Sequence, residues 1–276
     1  MPGYLVRDGK IMDENADVLH PDNRAFRYGD GLFETIRVSG DRIPLWDLHM
    51  NRLFIGLQQL KFPLPKFLTR EILLDGIRKL LRKNRLTRAR IRITVYRGNG
   101  GLTDHDPVTP GYIMQSWPLP EATTDLNSNG LRIGFFRDAI KPADSLSCLK
   151  SNNYLAYVMA SIYAREQKWN DALLLNQHQH IADSTIANVF WTKNGEVFTN
   201  PISDGAVAGV MRQYLIDQHQ VTIQSITPEH LLLADEVFLT NAVRGIRWVS
   251  FLENQPLQPP VQSLKLFETL IRPLFS

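Results

Sequence analysis

The sequence predicts an α+β chain in two parts, and three observations lead there. Residues 89–98, ARIRITVYRG, alternate strictly: Ile91, Ile93 and Val95 fall on one face, Arg90, Arg92, Thr94 and Tyr96 on the other, as in a half-buried strand. WDLHMNRLFIGLQQL, 46–60, instead places Leu48, Leu53, Phe54 and Leu57 at helical spacing. PLPEATTDLNSNG, 118–130, is polar and poor in apolar residues, the best boundary along the chain. The expected organisation is a small N-terminal α/β domain at 1–117, a linker at 118–130 and a larger domain at 131–276. Strands and helices do not alternate as regular βαβ units, which argues against a doubly wound sheet.

In chain order, residues 1–12 predict a hairpin around Asp8-Gly9, and 31–46 a second around Gly40-Asp41. Just before it, RYGDGLFETIRV sets Gly29-Asp30-Gly31 directly against a strand, and taken locally this is a hairpin turn whose glycines supply positive φ. After the helix at 46–60, LTREILLDGIRKLLRKN is a second helix with Thr69 as N-cap. The strand at 89–98 is followed by the loop GNGGLTDHDPVTPG and the strand GYIMQSW. Beyond the boundary come short strands (LRIGFF, DALLLN, VFWTK, EVFTN, EVFLTNA) and two helices, YLAYVMASIYAREQ and VAGVMRQYLIDQ.

Composition narrows the function. With 276 residues, 43% hydrophobic and 21% charged, the chain can bury one large core or two ordinary ones. Its longest apolar runs, such as Ala172–Leu175, are far short of the ~20 residues a membrane helix needs. The first residues carry acids early and lack an apolar core, so no secretion signal is expected. The single cysteine, Cys148, excludes an internal disulfide and a cysteine-rich metal site and suits a reducing cytoplasm. A net charge of +3 leans toward anionic ligands. The basic residues of 78–92 interleave with Ile77, Leu80 and Leu81 at helical spacing and with no aromatic series, so they read as a solvated helix face, not a nucleic-acid surface.

Four features then combine: the Gly-Asp-Gly turn, Arg52 on the first helix, Lys150 at a strand-to-helix junction, and a small-residue helix start at Ala208-Gly209. Singly, a lysine marks solubility, an arginine a surface charge, and an acid such as Asp183 a turn. Together they are an amine, two phosphate-binding elements and a carboxylate able to keep a ring nitrogen protonated, the parts a pyridoxal phosphate site requires.

The motifs carrying these residues resemble the fold-type IV (class IV) pyridoxal-phosphate enzymes: branched-chain aminotransferases, D-amino-acid aminotransferases and 4-amino-4-deoxychorismate lyases. They are RAFRYGDGLFET from Arg24, HMNRL from His49, KSNNYL from Lys150, DALLLN from Asp171, ADSTIANVF from Ala182, GVMR from Gly209 and ADEVFLTNA from Ala234. The resemblance implies a larger domain with a β-barrel-like core, a homodimer with shared active sites, and small amino and keto acids as substrates. It implies that Lys150 bonds to the cofactor's aldehyde and moves protons, that Arg52 with the Val210 and Met211 amides binds the phosphate, and that Asn241 and Ala242 add to that site. Tyr154 would meet the ring hydroxyl. Asp183 would meet the ring nitrogen, where the family usually carries glutamate, one methylene longer. Arg27, Phe33, Arg92 and Arg97 would contact substrate.

Three reactions share this scaffold. FET after the turn, where branched-chain aminotransferases read FEG, ranks that activity third. The lyase is the alternative; many lyases carry an arginine in the loop where this chain has Leu102. Transamination of an amino acid, D-amino acids among the candidates, to an α-keto acid such as 2-oxoglutarate ranks first. D-amino-acid aminotransferases, however, usually show tyrosine at the Phe33 position.

Overall fold

A computed structural model describes residues 3–104 and 108–276. Part of the loop expected at 98–111, residues 105–107, thus lies outside the described residues, as do residues 1–2. The chain forms two compact units, Met1–Glu121 with Lys150–Asn153, and Ala122–Leu149 with Tyr154–Ser276.

In the first unit, β1 (Tyr4–Arg7), β2 (Lys10–Asp13), β3 (Gly31–Ser39), β4 (Arg88–Tyr96) and β5 (Gly111–Pro118) make an antiparallel sheet in the order β2-β1-β5-β4-β3. The β1–β2 turn has positive φ at Asp8 and Gly9, as a two-residue hairpin loop demands. Helices α1 (Arg24–Tyr28), α2 (Trp46–Gln59) and α3 (Arg70–Asn84) complete the unit. The α3 N-cap is Thr69, whose hydroxyl accepts from Ile72 N–H. Ile36, Ile91, Ile93 and Val95 from the sheet, with Leu57, Leu73 and Ile77 from the helices, are buried. Strict alternation on β4 has therefore become one apolar face toward the core.

Two local expectations are corrected. Gly40-Asp41 is a tight turn that leads into no second strand: Ser39 and Arg42 exchange backbone hydrogen bonds at 3.1 Å across it, and the pairing stops at that one bridge. Gly29-Asp30-Gly31 is a helix stop, not a hairpin turn. Gly29 caps α1 at φ +68, its N–H reaching the carbonyls of Ala25 and Arg24, and β3 begins at Gly31.

The second unit holds β6 (Leu131–Ile140), α4 (Leu155–Glu166), β7 (Asp171–Leu175), β8 (Ile181–Ser184), β9 (Asn188–Lys193), β10 (Glu196–Thr199) and α5 (Val210–Gln218). It continues with β11 (Thr222–Ile223), α6 (Pro228–Leu231), β12 (Glu236–Asn241), β13 (Gly245–Leu252), β14 (Gln255–Pro256) and a helical C-terminus, Gln262–Phe275. The sheet runs β11-β10-β9-β12-β13-β6-β7-β8, with β14 beside β13. Residues 185–187 alone join β8 to β9, five strand positions apart. Flat, that separation is about 24 Å, and the turn reaches about 14 Å at most, so the sheet curls on itself. Ile133, Phe135, Leu173, Val189 and Leu239 fill the curl. The barrel-like core expected from the family resemblance has this physical origin.

The 118–130 segment is not a loose connection. Arg247 donates to the Thr123 and Asp125 carbonyls, and Trp248 Nε1 to Asn127 O at 2.6 Å. Its polar character serves β13, which the sequence pattern leaves unmarked because an arginine and a tryptophan interrupt the alternation. Lys150–Asn153 also departs from the expected 131–276 domain, for a reason visible at the candidate site.

Candidate active site

Residues 150–152 run along the outer edge of β3. Phe33 N–H donates to Lys150 O at 2.9 Å, Asn152 N–H donates to Gly31 O at 3.0 Å, and Ser151 bridges Leu32. This pairing makes the segment part of the first unit, and it explains the two glycines. A Cβ at Gly31 would come within 2.5 Å of both Asn152 Nδ2 and Val95 O, and one at Gly29 would strike Asn153 Oδ1. The turn is thus glycine-rich because a second strand segment lies against it.

This placement sets the Lys150 amine 4.4 Å from the centroid of the Phe33 ring, and the Arg92 guanidinium carbon lies 3.6 Å from the same centroid. Lys150, Phe33 and Arg92, three residues far apart in sequence, form one cluster. Arg92 Nε also donates to Thr94 Oγ1 at 3.2 Å.

Arg52 is held from the side of β3 that faces α2. Glu34 Oε1 accepts from Arg52 Nε at 2.7 Å, and Oε2 from Nη2 at 2.5 Å, a two-pronged ion pair. His49 Nδ1 approaches Glu34 Oε2 at 2.6 Å. Glu34 and His49 are buried. Burial by itself would raise the Glu34 pKa, but Arg52 and His49 outweigh it and hold the carboxyl at about 2. Burial pushes His49 below its ordinary value against the pull of Glu34, so the imidazole is neutral at pH 7.

The remaining expected cations have other surroundings. Arg97 Nε donates to Asp30 at 2.8 Å, and Nη1 and Nη2 donate to the Lys61 and Leu60 carbonyls. Arg24 binds the same Asp30 oxygen, which pins the turn. Arg27 is exposed and sits 3.6 Å from Asp22. Of the three arginines expected at substrate, Arg92 is the one that shares the Phe33 ring with Lys150.

In the second unit Asp183, 3% exposed, accepts through Oδ2 from Tyr157 OH and Val207 N–H, each at 3.0 Å. Burial, then Asp183, drive the Tyr157 pKa far upward, so this phenol stays protonated and donates. Tyr154 stacks on Tyr157 at 4.4 Å and donates to Thr185 O. Thr185 and Ser184 are anchored in turn by the buried Asp171 carboxylate, which accepts from both hydroxyls. Lys141 is buried too, its amine donating to the Ser147 and Gly205 carbonyls.

Val210 and Met211 begin α5. No side chain caps this helix and no acid occupies its first turn, so the helix supplies no anion of its own to its N-terminal dipole. The preceding Ala208 N–H is taken by Cys148 O. A Cβ at Gly209 would collide with Asn188 Oδ1, so a larger residue there would displace that buried side chain. Asn241 Oδ1 accepts from the Val243 and Arg244 amides and shapes the turn that contains Ala242.

Sequence reasoning missed His49 and Tyr157 as members of these networks, and for Glu34, which the family resemblance sets near the cofactor, it missed the partners. Tyr157 lies one helical turn beyond Tyr154, a detectable spacing. Glu34 is joined to α2 only by tertiary packing, and no local pattern reports that.

The match to the amino-transferase class IV family model covers residues 31–251. An aminodeoxychorismate lyase of Vibrio harveyi is 29% identical over 233 residues, covering 83% of this chain and 85% of the relative. A branched-chain-amino-acid aminotransferase of Salmonella typhimurium is 26% identical over 260 residues, 88% and 82% of the two chains. The fold is that of the branched-chain aminotransferase from the thermophilic archaeon Thermoproteus uzoniensis, solved with norvaline: TM-score 0.88 at 23% identity, over 100% of this chain and 95% of that one. With the family model spanning most of its length and every motif in order, the chain belongs to the class IV aminotransferases.

Proposed function

We propose that the protein is a pyridoxal-phosphate-dependent transaminase that passes the amino group of an amino acid to an α-keto acid such as 2-oxoglutarate. The observation that carries this reading is the Lys150–Phe33–Arg92 cluster, an amine and a guanidinium on one aromatic ring.

The donor set fits the cofactor: an amine, a braced arginine, an uncapped helix start and a buried carboxylate. The family resemblance assigns the phosphate to Arg52 and to the Val210 and Met211 amides, with Asn241 and Ala242 adding to that site. Asp183, kept in place by Tyr157 and Val207, would keep the ring nitrogen protonated, and Tyr154 would bond the ring hydroxyl. When bound, the cofactor supplies an aldehyde carbon and an electron-withdrawing ring. Lys150 would hold that carbon through Nζ, and its amine, when free, would take the proton from the substrate Cα. Arg92 orients the substrate carboxylate, and Phe33 shields the amine from water.

The test is spectral. D- or L-glutamate and alanine are offered singly, then a keto acid, and the cofactor's visible band is followed. Reversible bleaching by the amino acid and recovery with the keto acid support transamination; Lys150→Ala should lose the band and turnover together. Turnover surviving that change would refute the assignment. The lyase is favoured by the Vibrio harveyi relative. Silence with every amino acid, and p-aminobenzoate and pyruvate appearing from aminodeoxychorismate, would select it.

A homodimer follows from the family resemblance, and light scattering of the purified protein tests it. Among the described residues no helix is long and apolar enough to cross a membrane. The lone Cys148 suits the cytoplasm, to which we assign the protein.

A further inference from the structure

We propose that Glu34 and His49 are positioning residues for the phosphate grip: Glu34 clamps the Nε–Nη2 edge of Arg52 and is itself oriented by His49. This inference rests on Arg52 being a phosphate ligand.

The arrangement is costly unless it does such a job. A buried carboxylate is tolerated only when its oxygens are met by donors. Glu34 meets three, two from one guanidinium and one from His49 Nδ1. Because Glu34 is ionised and accepts, Nδ1 carries the imidazole proton. Nε2 is then a lone-pair nitrogen, buried and with no hydrogen-bond partner among the described residues. A leucine at this helix position would fill the space without leaving a nitrogen unmet. What histidine adds is one donor aimed at Glu34.

Two roles for Glu34 predict opposite signs. If it merely neutralises Arg52, its negative charge repels a phosphate, and its removal tightens binding. If it positions Arg52, removing it frees a flexible side chain that must then be ordered on binding, and affinity falls. The two-pronged geometry on strand β3, braced from α2, supports positioning. A carboxylate that served only as a counter-charge would not need its second oxygen held by a buried histidine.

The experiment titrates full-length apoprotein with pyridoxal phosphate and with pyridoxal, which lacks the phosphate, and takes the ratio of the two dissociation constants. Glu34→Gln and His49→Phe should each cut the preference for the phosphorylated form about tenfold or more. His49→Asn, which restores a donor near the Nδ1 position, should recover most of it. Arg52→Ala should abolish the preference, and Glu34→Gln should add nothing in that background. A tighter grip in Glu34→Gln, or equal weakening of both ligands, overturns the proposal. If Glu34→Gln fails to fold, the His49→Phe and His49→Asn pair decides it alone, and equal ratios in those two would overturn it. If Arg52→Ala leaves the preference intact, the phosphate reading of Arg52 has failed, and the positioning role falls with it.

Discussion

Glu34→Gln should flatten the acid limb of the stability profile. The folded-state pKa of Glu34 is depressed from an ordinary 4.5 to about 2, so its contribution is fully present above 4.5 and is lost as pH falls toward 2. The difference of about 2.5, at about 1.4 kcal/mol per pH unit, comes to about 3 kcal/mol at neutral pH. Breaking a buried ion pair by removing one charge typically costs about 3–5 kcal/mol, the same order. His49 acts in a separate window. Its pKa is lowered from 6.5, so below 6.5 the unfolded chain takes up a proton that the folded one resists, and stability falls there too. The assay is denaturant unfolding of wild type and variant between pH 7 and pH 2.5. The wild type should lose stability below 6.5 and again, more steeply, below 4.5. The variant should start about 3 kcal/mol lower and fall less steeply than wild type below 4.5, other carboxylates supplying what remains. If the two profiles run parallel from pH 4.5 down, Glu34 is not the carboxylate that the ion pair holds ionised.

Arg92→Ala should raise KM for the keto acid at least about tenfold, as loss of a charged hydrogen bond implies, whereas Arg97→Ala should lower the thermal midpoint and leave KM within about twofold. Equal KM effects would return Arg97 to the substrate. Gly31→Ala should destabilise by about 1–3 kcal/mol, because the new methyl meets Val95 O and Asn152, and should weaken cofactor binding by shifting the Lys150 segment. A variant as stable as wild type would show that the two strands are not so closely apposed. Tyr157→Phe removes one of two donors to a buried Asp183 oxygen and should cost about 1–3 kcal/mol, read from chemical unfolding. A neutral result would mean that water replaces the phenol.

Local chemistry made much of the first unit readable. The alternation of 89–98 became β4, Thr69 capped α3, and Asp8-Gly9 turned the first hairpin. In each, the determining interactions lie within a few residues of one another. The glycine turn was misread for the opposite reason: a hairpin turn and a helix cap need the same positive φ at Gly29. Contacts with Val95 and with Asn152, both distant in sequence, show why Gly31 must lack a side chain. The family motifs brought the candidate residues to notice but not their neighbours. Arg97 fits a substrate site by position, yet its donors are engaged by Asp30 and two carbonyls.

By itself the sequence located many of the strands and helices and the division into two parts, through periodicity, capping and polarity, which are local properties. The candidate amine, arginine and carboxylate came from motifs that resemble the family. Tertiary structure decided that Lys150 and Arg92 share the Phe33 ring, that Glu34 and His49 brace Arg52, and that the polar strap at 122–130 is fastened by Arg247. Such pairings join residues distant in sequence through burial and directional hydrogen bonds, whose partners exist only once the chain has folded.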